Sequence, residues 1–244
     1  METKDVLYIV IPAYNEEDNI RQLLQDWYPV IQRHDGDRHS RLLLINDGSR
    51  DRTAEVALAM QAQYPLLEVR TKPNQGHGPS LIYGYQYALE QGAQYIFQTD
   101  ADGQTLPEEF EAFWRQRQTH AAIFGNRVKR GDGAARAWVE KVLCLIVRGY
   151  FKVKVPDTNA PFRLMQSDYL KRYLPLLPQD YNLPNVMLVV LGEFYKDPIL
   201  FLPITFRARQ GGSNTINLKK IFRIGWQALR DFSAFRSSLH KSGG

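Results

Sequence analysis

Two aspartates, Asp100 and Asp102, stand one residue apart in the segment QTDADGQ at residues 98–104, directly after the apolar run AQYIF. Side chains alternate between the faces of a strand, but a tight turn after the strand lets both carboxylates approach one point. Two neighbouring carboxylates raise each other's pKa unless a cation compensates their charge. The spacing therefore predicts a cation site. An all-oxygen site with few protein ligands suits Mg²⁺ or Mn²⁺ that carries a substrate's phosphate groups.

Three further polar segments follow apolar runs in the same way. They are PAYNEE at residues 12–17, NDGSRD at residues 46–51 and KPNQGHGPS at residues 72–80. NDGSRD alone is also typical of a simple turn in which Asp51 caps the following helix. NQGHGPS matches neither the P-loop nor the dinucleotide-binding glycine pattern, and His77 alone is no evidence for a metal site.

Strands and helices alternate through the first half of the sequence. Apolar runs such as VLYIVIPAY and RLLLIND are followed by segments with helical spacing of apolar residues, for example Ile20, Leu23, Leu24 and Trp27. This alternation predicts an α/β fold with a mostly parallel sheet and helices on both faces. Ligands of such sheets bind beyond the carboxyl ends of the strands. The four polar segments are therefore the predicted ligand-binding segments.

The composition limits the class of protein. An apolar fraction of 44% in 244 residues is enough for one core, and the single cysteine, Cys144, excludes an intramolecular disulfide and a cysteine metal cluster. This cysteine usage predicts a reducing, cytosolic setting. The start of the sequence has the pattern of a strand and not of a signal peptide. No apolar run reaches the roughly 18 residues of a spanning helix, since WVEKVLCLIVRGYF contains Glu140, Lys141 and Arg148.

The charges are unevenly distributed along the chain. Residues 1–126 carry 11 basic and 18 acidic side chains, whereas residues 127–244 carry 20 basic and 8 acidic ones. This polarity is compatible with a merely solvated surface, and also with an anionic partner such as nucleic acid or a phospholipid surface. Nucleic acid is the less favoured partner, because the acidic first half offers no platform of basic and aromatic residues.

In this order, PAYNEE, NDGSRD and DADGQ resemble the motifs of the family 2 inverting glycosyltransferases, which have the GT-A (Rossmann-like) fold. Within that family the sequence is most similar to the dolichyl- and polyprenyl-phosphate sugar synthases, over roughly residues 6–215. The resemblance implies a glycosyltransferase domain over residues 1–215 and a nucleotide-sugar donor whose base is bound by Asp47. The residues that it assigns to the donor pocket are Pro12, Ala13, Tyr14, Glu16, Asp47, Gly76, His77, Gly78, Asp100 and Ala101.

The same resemblance implies how the leaving group is neutralised. Asp100 and Asp102 would hold Mg²⁺ or Mn²⁺ against the donor's diphosphate, with Gln104 as the third ligand and Asp102 as a catalytic residue. RARQGGSN at residues 207–214 is similar to the family's Arg-x-x-Gly loop, which closes over the diphosphate. It implies that Arg209 stabilises the leaving group, although Thr215 replaces the lysine that is usual after this loop.

The second half is similar to the acceptor side of the same enzymes, in the segments GNRVKRGDGAAR and DTNAPFRLM. The resemblance implies that Asp157 lies beside the reacting centre and that arginines bind the acceptor phosphate: Arg127, Arg130, Arg136 and Arg163. A phosphate monoester is already an anion at pH 7 and needs mainly positioning, although Asp157 would be able to act as a base. The Gln-x-x-Arg-Trp motif of processive synthases is absent, so we expect one transfer per encounter.

We therefore predict a metal-dependent inverting transferase that moves one sugar from a nucleotide donor, with the resemblance favouring a UDP-sugar, to undecaprenyl or dolichyl phosphate. Its expected location is the cytoplasmic face of a membrane. Two other functions stay open. One is a transferase that acts on a saccharide or protein hydroxyl, and the other is a sugar-nucleotide-binding regulator without turnover. The regulator is less favoured because the metal acids and Arg209 are all present.

Residues 216–244 are expected to form a basic amphipathic helix and tail. Residues 203–244 contain eight basic side chains and one acid, Asp231. Apolar residues recur here at helical spacing: Leu218, Ile221, Phe222, Gly225, Leu229, Phe232 and Phe235. The pattern predicts peripheral binding to an anionic membrane surface. A helix packed on the protein's own core would have the same apolar stripe.

Overall fold

The computed structural model describes residues 5–35, 39–131 and 133–208, with only the backbone of residues 130 and 134–136. The predicted C-terminal helix and the predicted domain boundary at residue 215 lie beyond these ranges.

Strands and helices alternate along most of the described chain. The strands are β1 (Leu7–Ala13), β2 (Arg41–Asn46), β3 (Leu67–Thr71), β4 (Tyr95–Thr99), β5 (Ala122–Arg130), β6 (Phe162–Gln166) and β7 (Ile199–Phe206). The α-helices are α1 (Ile20–His34), α2 (Thr53–Gln61), α3 (His77–Glu90), α4 (Phe110–Trp114), α5 (Ala134–Phe151), α6 (Ser167–Tyr173) and α7 (Pro184–Phe194). Short 3₁₀ turns precede α4 and follow α6.

The seven strands form one sheet in the order β3-β2-β1-β4-β6-β5-β7. β6 runs antiparallel to its neighbours β4 and β5, and the other paired strands are parallel. The carboxyl ends of six strands and the start of β6 therefore lie at one edge of the sheet. The mostly parallel sheet that the sequence predicted is confirmed.

Side-chain alternation along the strands divides the core into two layers. In β1, Leu7, Ile9 and Ile11 belong to the layer that contains the buried residues of α1, α2 and α4. Tyr8 and Val10 belong to the opposite layer, with the buried residues of α3, α6 and α7. Because both faces of β1 are covered, the strand is apolar throughout instead of alternating with polar residues. Helices on both faces of the sheet are likewise confirmed.

Within the described ranges, no helix combines the length and the apolar character that crossing a bilayer requires.

Candidate active site at the carboxyl edge of the sheet

The loops after β1 and β2 are hydrogen-bonded to each other. The N–H of Asn15 donates to Ser49 Oγ at 3.1 Å, and Asn15 Oδ1 accepts from the N–H of Arg50 at 2.8 Å. The N–H of Glu16 donates to Thr53 Oγ1 at 2.8 Å. Asn15 has a φ of 54°, in the left-handed region that asparagine tolerates better than most residues. These contacts fix PAYNEE and NDGSRD as one wall.

The predicted donor residues of the first motif lie at the end of β1. Pro12 and Ala13 are buried in the strand, and Tyr14 is half-buried beyond it. Glu16 is buried, and its Oε2 accepts a hydrogen bond from Asn19 Nδ2 at 2.8 Å. The donor contacts themselves stay predictions.

Asp47, at the end of β2, is buried and anchors the following polar segment. Its Oδ1 accepts hydrogen bonds from Lys72 Nζ and from the N–H of Gln75, the latter at 3.0 Å. Its Oδ2 accepts from the N–H of Gly76 at 2.8 Å, and Asn74 Nδ2 donates to its backbone carbonyl at 2.9 Å. Asp47 thus holds the 72–76 loop against β2, a role that the motif alone did not indicate.

The first turn of α3 brings the third polar segment to the acidic pair. Gly76 has a φ of 102°, a conformation that favours glycine. A Cβ on Gly78 would collide with the backbone carbonyl of Tyr181, so only glycine permits this close approach. His77 Nε2 lies 3.8 Å from Asp100 Oδ1. The start of α3 and the turn after β4 therefore form neighbouring walls of one site.

The two acids lie on the turn after β4, as predicted from their spacing. Asp100 Oδ1 accepts a hydrogen bond from Gln98 Nε2 at 3.0 Å, and Asp102 Oδ1 accepts from the N–H of Gln104 at 3.2 Å. Ala101, between them, is buried in the core, while both acids are partly exposed. Ala101 therefore anchors the turn, and the acids face the solvent side of the sheet edge.

The two carboxylates on this turn are suitable ligands for a divalent cation. Asp100 and Asp102 supply carboxylate oxygens only, and no group of three or more His, Cys, Asp or Glu side chains in the described part of the chain is arranged to hold a metal ion. A metal here would need oxygen ligands from a substrate or from water. Mg²⁺ and Mn²⁺ accept such a shell, whereas a structural zinc site would normally be complete within the protein.

Gln104 links the acidic turn to the end of β7. Gln104 is buried, and its Nε2 donates to the carbonyl of Arg207 at 2.6 Å. The N–H of Arg207 donates back to the carbonyl of Gln104 at 2.8 Å. The carboxylate of Glu109 accepts the N–H of Thr205 at 3.0 Å. Arg209 lies two residues after Arg207, outside the described ranges. The contact of Gln104 with a metal ion stays a prediction.

Arg127 lies in a buried ion-pair cluster. Its Nε and Nη2 donate to the two carboxylate oxygens of Asp157 at 2.7 and 2.8 Å, and Nη2 also donates to Glu140 Oε2 at 3.0 Å. The Arg127 side chain is only 8% exposed. Glu140 Oε1 accepts from the N–H and the hydroxyl of Thr158 at 2.8 and 2.7 Å. Arg127 thus has a structural role in this cluster, and its contact with an acceptor phosphate stays a prediction.

The same cluster determines the protonation of Asp157. Burial opposes ionisation of this carboxyl, but the hydrogen bonds and the positive charge of Arg127 outweigh burial and lower the pKa of Asp157. A carboxylate with a lowered pKa, bound on both oxygens, is a weak base. The arrangement therefore disfavours the base role that the sequence left open for Asp157.

Arg163 is also structural. Its guanidinium donates to the backbone carbonyls of Ala160, Thr158 and Asn185 at 2.8, 2.8 and 2.6 Å. Arg163 is 1% exposed, because it lies on β6 in the middle of the sheet. This side chain fixes the segment before β6 and the first turn of α7, and its contact with an acceptor phosphate stays a prediction.

A cleft of about 500 Å³ lies between α5 and residues 154–157. The basic residues Lys141, Arg148 and Lys154 line it together with the Arg127–Asp157 pair. Arg130 ends β5 and Arg136 lies in the first turn of α5. The side chains of these last two arginines are not among those described, so their acceptor contacts stay predictions.

Curated relatives share part of this chain. A dolichyl-phosphate beta-glucosyltransferase of Trichomonas vaginalis is 27% identical over 180 residues, which cover 66% of this chain and 54% of that protein. An undecaprenyl-phosphate 4-deoxy-4-formamido-L-arabinose transferase of Pseudomonas fluorescens is 29% identical over 159 residues, or 64% of this chain and 45% of that one. The chain thus spans about half the length of these relatives.

Solved structures share the fold. Glucosyl-3-phosphoglycerate synthase of Mycobacterium tuberculosis, in complex with Mn²⁺, UDP-glucose and phosphoglyceric acid, superposes with a TM-score of 0.71 at 17% identity, covering 96% of this chain and 80% of that one. The family described as Glycosyl transferase family 2 matches residues 8–174, a range that contains all four polar segments and Asp157. The chain therefore belongs to glycosyl transferase family 2.

Proposed function

We propose that this protein transfers one sugar, with inversion, from a UDP-sugar to a polyprenyl phosphate at the cytoplasmic face of a membrane. The observation that carries the proposal is that Asp100, on the same turn as Asp102, lies beside His77 at the start of α3, next to the loop that Asp47 anchors. The names of the relatives, which act on dolichyl or undecaprenyl phosphate, support the acceptor. The complexes of the structural neighbour with UDP-glucose support the donor.

On this proposal the donor lies across the polar segments. The base and ribose contact the wall formed by PAYNEE and NDGSRD, and the diphosphate reaches the acidic turn. Asp100 and Asp102 hold Mg²⁺ or Mn²⁺, which, when bound, neutralises negative charge on the departing nucleotide diphosphate. Arg209 places a second positive charge next to the leaving diphosphate.

The acceptor brings its own nucleophile. An anionic phosphate oxygen attacks the anomeric carbon, a new C–O bond forms, and the nucleotide diphosphate leaves with the electrons of the old C–O bond. No proton has to be removed from the acceptor, so no strong base is needed. The pairing of Asp157 with Arg127 agrees with such a reaction, because both oxygens of this carboxylate already accept hydrogen bonds from Arg127. Arg130 and Arg136 are proposed to bind the acceptor phosphate.

Asp47→Asn is expected to weaken UDP binding at least about tenfold, because the amide cannot accept from Lys72 and both backbone N–H groups as a carboxylate does. Isothermal titration calorimetry with UDP measures the effect. Asp26→Asn, on the exposed side of α1, is the matched control and should bind UDP like the unmodified protein. Unchanged affinity in Asp47→Asn would mean that the 72–76 loop is not part of the nucleoside pocket.

The proposed donor and acceptor are tested with a panel. UDP- and GDP-sugars are incubated with Mn²⁺ and undecaprenyl phosphate, and nucleotide release is measured with and without the acceptor. We expect release from one UDP-sugar that depends on undecaprenyl phosphate. Parallel reactions contain phosphoglyceric acid, the compound bound in the structural neighbour, or a saccharide with free hydroxyls. Release stimulated only by one of these would replace the acceptor, and tight UDP binding without release under any condition would favour the regulator.

A further inference from the structure

One face of α5 is exposed although it carries large apolar side chains. Trp138 and Leu145 are each 66% exposed, and their spacing of seven residues puts them on the same side of the helix, together with Gly149. Val147 and Phe151 are buried on the opposite side. Val147 and Phe151 thus pack α5 against the core, while Trp138 and Leu145 lie on an apolar strip that faces away from the core.

Positive charge borders this strip on one side. Lys141 and Arg148 flank it on α5, and Lys152 and Lys154 follow the helix, all four with exposed side chains. Between residues 137 and 156 the sequence has one acid, Glu140, which is buried against Arg127 and Thr158. The exposed part of this segment is thus apolar and basic only.

We propose that this face, made of Trp138, Lys141, Leu145, Arg148 and Gly149 and called here the docking face, binds an anionic phospholipid bilayer. Exposed tryptophan and leucine flanked by lysine and arginine is the composition of surfaces that insert shallowly at the lipid headgroups. Basic side chains add attraction to anionic lipids. The inference rests on the proposed function, because a polyprenyl phosphate acceptor is held in a bilayer.

Charge argues against the other occupants of the docking face. A symmetric dimer would place the face against its own copy, so that Lys141 and Arg148 would meet like charges. The chain's own segment 216–244 carries six basic residues and one acid, and it would be repelled in the same way. An anionic surface is the complementary partner.

The docking face also adjoins the acceptor side of the site. Lys141, Leu145 and Arg148 belong both to this face and to the lining of the cleft that contains Arg127 and Asp157. A bilayer bound to the docking face would therefore lie beside that cleft. A lipid phosphate would then reach the protein without leaving the membrane surface.

Vesicle sedimentation of the full chain tests the proposal. Vesicles of phosphatidylcholine with phosphatidylglycerol are compared with pure phosphatidylcholine, without donor or acceptor. Lys141→Glu with Arg148→Glu should lower the partition coefficient on anionic vesicles about 25-fold or more, since each basic residue contributes roughly fivefold. Trp138→Ala with Leu145→Ala should lower it about tenfold. The matched controls are Lys171→Glu with Lys196→Glu, and Leu58→Ala on α2, where the leucine is 53% exposed.

Trp138 also reports on the face directly. In a Trp226→Phe background, acrylamide should quench Trp138 without vesicles, and anionic vesicles should protect it and shift its emission to the blue. Trp27 and Trp114 are buried and give a constant background. Variants that bind like the unmodified protein, or a Trp138 that is shielded before vesicles are added, would overturn the proposal. Vesicle binding with no sugar transfer would instead contradict the proposed function and leave the docking face in place.

Discussion

Asp102→Asn is expected to abolish sugar transfer, with kcat/KM lowered at least about 100-fold. The substitution keeps the size of the side chain and its place on the turn after β4, but it removes one of the two negative charges available to a metal ion. Asp100 alone would then have to hold the cation against the leaving diphosphate. Nucleotide release, measured over a range of Mn²⁺ and Mg²⁺ concentrations, gives the effect.

Two controls separate the loss of the metal from a loss of folding. Asp168→Asn removes a carboxylate from α6 whose side chain is largely exposed, and it should leave the rate unchanged. The Asp102→Asn protein should keep the unfolding midpoint of the unmodified chain, because Asp102 is partly exposed. Near-normal turnover of Asp102→Asn, or full activity in excess EDTA, would contradict the metal assignment.

Arg127→Ala is expected to lower the free energy of unfolding by about 3–5 kcal/mol at neutral pH. The guanidinium is the shared partner of Asp157 and Glu140, and its removal leaves two buried carboxylates next to each other without that compensating charge. Urea unfolding followed by circular dichroism measures the change. Arg172→Ala is the matched control: Arg172 pairs with Asp197 at 2.9 Å but is 54% exposed, and its loss should cost less than about 1 kcal/mol.

The pH dependence of this effect has a definite sign. The pKa of Asp157 is lower in the folded protein than its unfolded value of about 3.9, so its ionised form stabilises the fold at higher pH. That contribution is complete above about pH 4 and is lost as the pH falls through the folded pKa. The difference in stability between the unmodified protein and Arg127→Ala should therefore shrink below about pH 4. A difference that stays constant down to about pH 3 would show that Arg127 acts through packing and not through charge.

The sheet and its ligand-binding edge were predictable because each depends on local sequence. The apolar runs are strands that are buried on both faces, and parallel strands must end at the same edge. Asp100 and Asp102 were recognisable because paired acids after an apolar run are rarely needed by a core. Helix ends are harder to read from the sequence: PEEFEAFWRQRQ at residues 107–118 has the pattern of one helix, but the helix observed there is shorter. It begins with a 3₁₀ turn and ends at Trp114, since the N–H groups of Gln116 and Arg117 bond to carbonyls only three residues back.

The burial of Arg127 and Arg163 was not predictable from residue types, because burial cannot be read from a motif. Arg163 lies on β6, between β4 and β5 in the sheet, where its guanidinium is buried and donates to backbone carbonyls. Arg127 meets Asp157 because β6 runs antiparallel and starts at the edge where β5 ends, an arrangement that depends on the whole sheet. Glu140, the only acid in the run WVEKVLCLIVRGYF, was the available signal that a buried basic partner existed.

The structure of the reaction product decides whether the proposed transfer takes place. Undecaprenyl phosphate, Mn²⁺ and the UDP-sugar selected by the panel are incubated with the protein, and the lipid extract is analysed by mass spectrometry and by NMR of the anomeric carbon. We expect one sugar per undecaprenyl phosphate, joined through a phosphodiester, with anomeric configuration opposite to that of the donor, and no such product with Asp102→Asn. A product with retained configuration, a chain of several sugars, or a sugar found only on a hydroxyl acceptor would contradict the proposed transfer.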